Sequence, residues 1–345
     1  MLMKKTRAIA YAVLAAAFYA VNIPVSKLIL HHVGAMTMAA LLYMGAGIGI
    51  GIVSLFDRKE KREKLDRKDL PFVIGMIVLD IAAPILLMLG LSAGFASNAS
   101  LLGNFEIVAT TLIALAVFRE TISKRLWLAI TLITLSSILL SFDGAESFRF
   151  SYGSLLVIAA TVCWGFENNC TRKISSKNTY EIVILKGIFS GLGALALACI
   201  RKEAVPSLLS IALALLLGFV AYGLSIFLYV RAQNVLGAAK TSAYYAVAPF
   251  IGALLSFLFL KETLTWMYLA ALAVMILGTV FVVKDTLLRN HVHVHTHTFT
   301  HTHDGSMHTH TVTHSHAHNH YVTDEKHGHH HSQKELEQLG GAVHR

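Results

Sequence analysis

Four ionisable residues interrupt long apolar stretches of this chain: Asp80, Glu106, Glu167 and Lys186. A charge near the centre of a bilayer costs from a few to more than about ten kcal/mol, so such a group faces a protein interior or a wet cavity and marks a functional position. Helical spacing strengthens one of them. Trp164, Glu167, Asn168 and Thr171 recur at i, i+3, i+4 and i+7, which puts them on one helix face. Tyr19, Asn22 and Ser26 draw the same polar stripe in the first apolar stretch. Lys240, Thr241, Tyr244 and Tyr245 draw a third, and Asn98 and Glu106 share a face of another. Tyr222 adds an apolar ring with a polar tip. These residues suit recognition by hydrogen bond and charge rather than bond-making. With no nucleophile elbow, phosphate loop or catalytic metal motif, the chain is not expected to be an enzyme.

Each candidate also has a structural reading. Asp80 lies one turn before Pro84 and would satisfy backbone freed by that proline. Glu167 would pair with Arg172 or Lys173 near a helix end, and Lys186 with a neighbouring acid.

The elements that must position these side chains are membrane helices. Of 345 residues, 55% are hydrophobic and only 14% charged, and the mean hydropathy is +0.61; a soluble chain could not cover that much apolar surface. A bilayer core roughly 30 Å thick needs about 20 apolar residues per helix. That window finds ten spans, at 7–30, 34–56, 71–90, 94–118, 124–142, 151–171, 180–200, 207–230, 237–260 and 265–284. Lys4, Lys5, Arg7, the basic run 57–68, Arg119, Lys124, Arg125, Arg172, Lys173 and Lys177 fall in alternate connections, which predicts both termini in the cytoplasm and a plasma-membrane location. The net charge of +9 is thus a topology signal and no sign of nucleic-acid binding. Gly45, Gly47, Gly49 and Gly51, and Gly187, Gly191 and Gly193, allow close helix approach.

The spans are written twice. FRETISKRLWLA from Phe118 matches LKETLTWMYLA from Leu260, setting Glu120 over Glu262 at an offset of 142 residues. Both carboxylates read as structural, at helix starts. The same offset sets Asp80 over Tyr222, Asn98 over Lys240 and Glu106 over Ala248; an offset of 145 sets Tyr19 over Trp164 and Asn22 over Glu167. Five spans per half make the second half enter from the opposite side, as inverted repeats.

With the Asn-x-Pro-x-x-Lys run at Asn22–Lys27 and the acids at Glu120 and Glu262, residues 7–284 resemble the drug/metabolite transporter superfamily with tandem EamA-type domains. The resemblance implies an all-α polytopic membrane protein of ten transmembrane helices in two inverted five-helix repeats, 1–143 and 144–285. It also implies an exporter working by alternating access. The expected substrate is a small polar organic solute, read by Tyr19, Asn22, Asp80, Asn98, Glu106, Trp164, Glu167, Asn168, Tyr222 and Tyr244. The chain's partners are then that solute, or an ion, and the lipid bilayer; a homodimer is compatible with it.

Residues 286–345 differ in kind. They carry 17 of the 19 histidines, largely as His-x-His. His291, His293, His295, His297, His301, His303, His308, His310, His314, His316, His318 and His320 are candidate ligands for zinc, nickel or copper, since neutral imidazole binds such ions well. With few apolar anchors this tail is expected to be disordered without metal. No cofactor is required otherwise. The tail motivates two alternatives: an exporter of zinc, nickel or cobalt that captures the ion on the tail, and a membrane metal sensor.

Overall fold

The computed structural model describes residues 2–56, 63–118, 122–142, 151–174, 177–236, 241, 244–303 and 306–321, and for residues 286–321 the backbone. The chain divides into two units, Met1–Asp285 and Thr286–Arg345.

The first unit is helical at each of the ten expected positions. In chain order the helices are α1 (Leu2–Ala20), α2 (Asn22–Ile29), α3 (Ala35–Phe56), α4 (Leu70–Ala93), α5 (Ala96–Leu102) and α6 (Phe105–Phe118). Next come α7 (Lys124–Leu140), α8 (Tyr152–Ile174), α9 (Thr179–Ile200), α10 (Leu208–Gly218), a π-helical turn (Phe219–Leu224), α11 (Ser225–Leu236), α12 (Ala248–Leu260) and α13 (Trp266–Leu287). Among the described residues, seven segments are long and apolar enough to cross a membrane: Thr6–Ile29, Ala35–Phe56, Leu70–Ala93, Ala96–Val117, Thr179–Ile200, Leu208–Tyr229 and Trp266–Asp285. The others fall short for visible reasons. α7 and α12 have 17 and 13 residues, and the second half of α8 carries Glu167, Asn168, Asn169, Arg172 and Lys173.

Several spans are interrupted mid-way. Pro24 cannot donate to the Ala20 carbonyl, and the first span turns at Val21. Gly252 leaves room there, since a Cβ on it would lie 3.2 Å from the Ala20 oxygen. The fourth span breaks at Gly103–Asn104 and the ninth at Ala246–Val247, within one residue of the 142 offset. The eighth widens into the π-turn, a geometry common at functional sites.

Packing follows the duplication. α3 lies on α9 and α5 on α12, joining equivalent spans of the two halves. α4 lies on α8 and α1 on α11, pairs that exchange when the halves are swapped; so do α3–α10 and α4–α9. At the α3–α9 seam a Cβ on Gly187 would lie 2.5 Å from the Gly47 Cα, so only glycine permits that approach. Gly51, counted in the same run, faces open space.

The halves also finish one another's helix ends. Glu203 accepts from the backbone N–H of Met36 at 3.1 Å and of Thr37 at 2.8 Å, at the start of α3. Glu262 accepts from Ala96 at 2.7 Å and Ser97 at 2.9 Å, at the start of α5. Its place at a helix start predicts service to its own helix; it serves the opposite half instead, where its charge suits the helix dipole. Glu120 lies outside the described residues. Lys27, the end of the Asn-x-Pro-x-x-Lys run, donates to the Leu91 and Gly94 carbonyls where α4 ends.

The second unit is described at residues 286–303 and 306–321. β1 (Leu288–His303) and β2 (Ser306–Tyr321) form an antiparallel hairpin. Many of the residues between the histidines are Thr or Val, β-branched residues that favour extended backbone.

Candidate functional site

The charged residues meet where the halves meet. Lys186, on α9, places its Nζ 3.0 Å from Asp80 Oδ2 on α4 and 2.9 Å from Glu167 Oε1 on α8. Asp80 is 0% exposed and Glu167 2%. Moving a carboxylate that deep costs several kcal/mol, and a shared ammonium with further donors offsets it. Those donors are present. The Tyr43 hydroxyl on α3 donates to Asp80 Oδ1 at 2.8 Å, Trp164 Nε1 donates to the Tyr43 oxygen at 3.3 Å, and the Thr171 hydroxyl donates to Glu167. One ammonium faces two carboxylates, so hydroxyls spread the remaining negative charge.

Beside the triad stands a wall of tyrosines. Tyr43 and Tyr222 have ring centroids 5.4 Å apart, Tyr19 and Tyr222 5.9 Å, Tyr19 and Tyr245 5.9 Å, and Tyr229 and Tyr245 5.2 Å. The Asn22 amide, 0% exposed, donates to the Tyr222 oxygen at 3.0 Å and accepts from Ser26 at 3.1 Å. Tyr222 lies in the π-turn and Asn22 just past the bend in the first span, so the interruptions of the helices deliver both residues to the cluster.

A third acid joins through α8. Glu106 comes just after the break in the fourth span and accepts from the Asn168 amide at 2.7 Å; Asn168 also donates to the Thr110 hydroxyl at 3.2 Å. No ammonium or guanidinium pairs with Glu106 among the described residues. At the break itself Ser100 Oγ and Asn104 Nδ2 are buried with no partner among the described residues, leaving hydrogen-bonding capacity beside Glu106.

Tyr19, Asn22, Asp80, Glu106, Trp164, Glu167, Asn168 and Tyr222 thus belong to one connected region. Two expected members do not. Asn98 donates to the Leu140 carbonyl at the end of α7, because the break at Gly103–Asn104 ends the face it was to share with Glu106. Tyr244 is 38% exposed, and Tyr245 takes the inward place, against Tyr19 and Ser225. Lys240, of the same stripe, lies outside the described residues. Lys186 pairs with neighbouring acids, Asp80 and Glu167, as its structural reading expected. Spacing missed Tyr43, which has apolar neighbours on both sides and no polar stripe to announce it.

The arrangement combines a closed ion triad, an aromatic wall and a carboxylate with spare acceptor capacity. Among the described residues no cluster of three or more His, Cys, Asp or Glu is placed to hold a metal ion. The carboxylates of Asp80 and Glu167 are engaged by Lys186.

Comparison with known proteins agrees with this architecture. The model of the EamA-like transporter family matches residues 6–142 and 151–284. An uncharacterized transporter of Methanothermobacter thermautotrophicus is 26% identical over 283 residues, covering 76% of this chain and 81% of that protein. A solved crystal structure shares the fold with a TM-score of 0.59 at 15% identity, covering 80% of this chain and 95% of that one. The two family matches fall on the two halves that the packing relates, and the chain belongs to the EamA-like transporter family.

Proposed function

We propose that this protein is a secondary transporter that exports a small polar metabolite across the plasma membrane by alternating access. Ten crossings form two inverted five-helix repeats, with both termini in the cytoplasm. The observation that carries this reading is the placement of the charged and aromatic cluster on the seam between the halves, one residue from each of several spans. Sites at the repeat interface with interrupted helices are where rocking of one half against the other exposes a solute to either side.

Glu106 and the tyrosine wall receive the solute, and the triad ties α4, α8 and α9 together as the halves rock. A solute with hydrogen-bond donors, such as an amine or a polyol, complements a carboxylate whose one amide donor leaves acceptor positions open. The cytoplasmic orientation draws support from the basic run at 57–68 and from Arg172, Lys173 and Lys177.

The test is efflux from proteoliposomes loaded in turn with radiolabelled amines, amino acids and polyols. The reading expects a solute that leaves faster with the wild type than with Glu106→Gln. Equal leakage of every solute from wild-type and empty liposomes would overturn it.

A further inference from the structure

The hairpin carries a relationship that its composition alone does not. Residues of a strand alternate between two faces, and residues directly opposed across a ladder share a face. In this register His291 opposes His318, His293 opposes His316, His295 opposes His314 and His301 opposes His308. Arg289, Phe299, Val312 and Ser306 oppose His320, His310, His297 and His303. All twelve histidines therefore fall on one face, and the other face, carrying Val292, Val294 and a row of threonines, has none.

Opposed pairs on one face of an antiparallel ladder have Cα atoms about 4.5–5.5 Å apart, and successive pairs recur every two residues, about 6.8 Å along the strand. Two imidazoles at that separation can share one ion with metal–nitrogen distances near 2.0–2.1 Å. Imidazole selects zinc, nickel and copper over calcium or magnesium. Three opposed pairs run consecutively, 291/318, 293/316 and 295/314, and the fourth, 301/308, lies near the end of β1 and the start of β2.

We propose that the β1–β2 ladder, Leu288–His303 with Ser306–Tyr321, is a divalent transition-metal site built from cross-strand histidine pairs, with the three consecutive pairs as its strongest part. Bound ions clip β1 to β2, and the register, not the number of histidines, sets the affinity. The site stands independently of the transported solute.

The experiment uses full-length protein, purified in detergent without an added tag, and titrates it with zinc or nickel by calorimetry; calcium is the control. Exchanging neighbours in β1 alone (H291V/V292H, H293V/V294H, H295T/T296H) keeps the composition and breaks the three pairs. Losing the chelate is expected to weaken the tightest binding by about a hundredfold. Adding the matching exchange in β2 (T313H/H314T, S315H/H316S, A317H/H318A) restores the opposition on the other face and with it the affinity. Unchanged thermal unfolding of the helical unit shows that the variants remain folded. Equal zinc affinity for the parent and the β1 variant, no recovery in the double exchange, or calcium binding as tight as zinc would each overturn the proposal.

Discussion

Asp80 and Tyr222 stand at matching positions of the two halves, and both close on Tyr43: its hydroxyl donates to Asp80 at 2.8 Å, and its ring lies 5.4 Å from that of Tyr222. One side chain of the second span thus joins an acid from one repeat to an aromatic from the other. The duplication supplied two equivalent places, and divergence filled them with different chemistry at the seam between the halves.

Lys186→Met removes the ammonium that two buried carboxylates share. Breaking a buried pair from one side costs about 3–5 kcal/mol, so the variant should unfold at a clearly lower temperature in detergent. Adding Asp80→Asn should return part of that loss, since one fewer carboxylate then goes unpaired. Additive losses in the double variant would argue against a shared ion pair.

Glu106→Gln retains an oxygen for the Asn168 amide and removes the charge. Expression and thermal stability should hold, while transport should fall roughly tenfold or more, the equivalent of one charge-assisted hydrogen bond of about 1.5–3 kcal/mol. Efflux from proteoliposomes measures it; a variant that transports normally would leave Glu106 a structural role only.

Gly187→Leu places a side chain against the Gly47 backbone, and overpacking there should cost about 1–3 kcal/mol. Gly51→Ala is the internal contrast, because nothing lies within 4 Å of the added Cβ. A helical glycine replaced by alanine gains up to about 1 kcal/mol. Parallel melting curves distinguish them.

Glu262→Ala deprives Ala96 and Ser97 of their acceptor. Loss of such a cap costs about 0.5–2 kcal/mol, and Glu262→Gln, which keeps one oxygen, should cost less. Equal melting temperatures for the two variants would deny the carboxylate its capping role.

The polar stripe of Trp164, Glu167 and Thr171 was legible because helical spacing is a property of one segment, and Thr171 does donate to Glu167 on that face. Lys186 as the partner of Asp80 was not, because the pair joins helices far apart in sequence and only packing brings them together. The duplication register located Glu262 but not the helix it completes, since the contact crosses between halves. Asn98 went astray through one turn of chain: the break at Gly103–Asn104 rotates α6 relative to α5, and no periodicity carries through a break. In the tail the His-x-His alternation already had a strand's period, while the low count of apolar anchors pointed to disorder.

The carboxylates that complete helix starts across the halves also impose an order of assembly. Ala96 and Ser97 emerge from the ribosome 166 and 165 residues before Glu262, and Met36 emerges 167 residues before Glu203. At synthesis rates of about 5–20 residues per second, their backbone groups wait roughly 10–30 s for an acceptor. Until then the first turns of α3 and α5 lack the acceptors that the finished fold gives them. The two repeats, which look like two copies of one domain, therefore complete one another's helix starts only after both have been made.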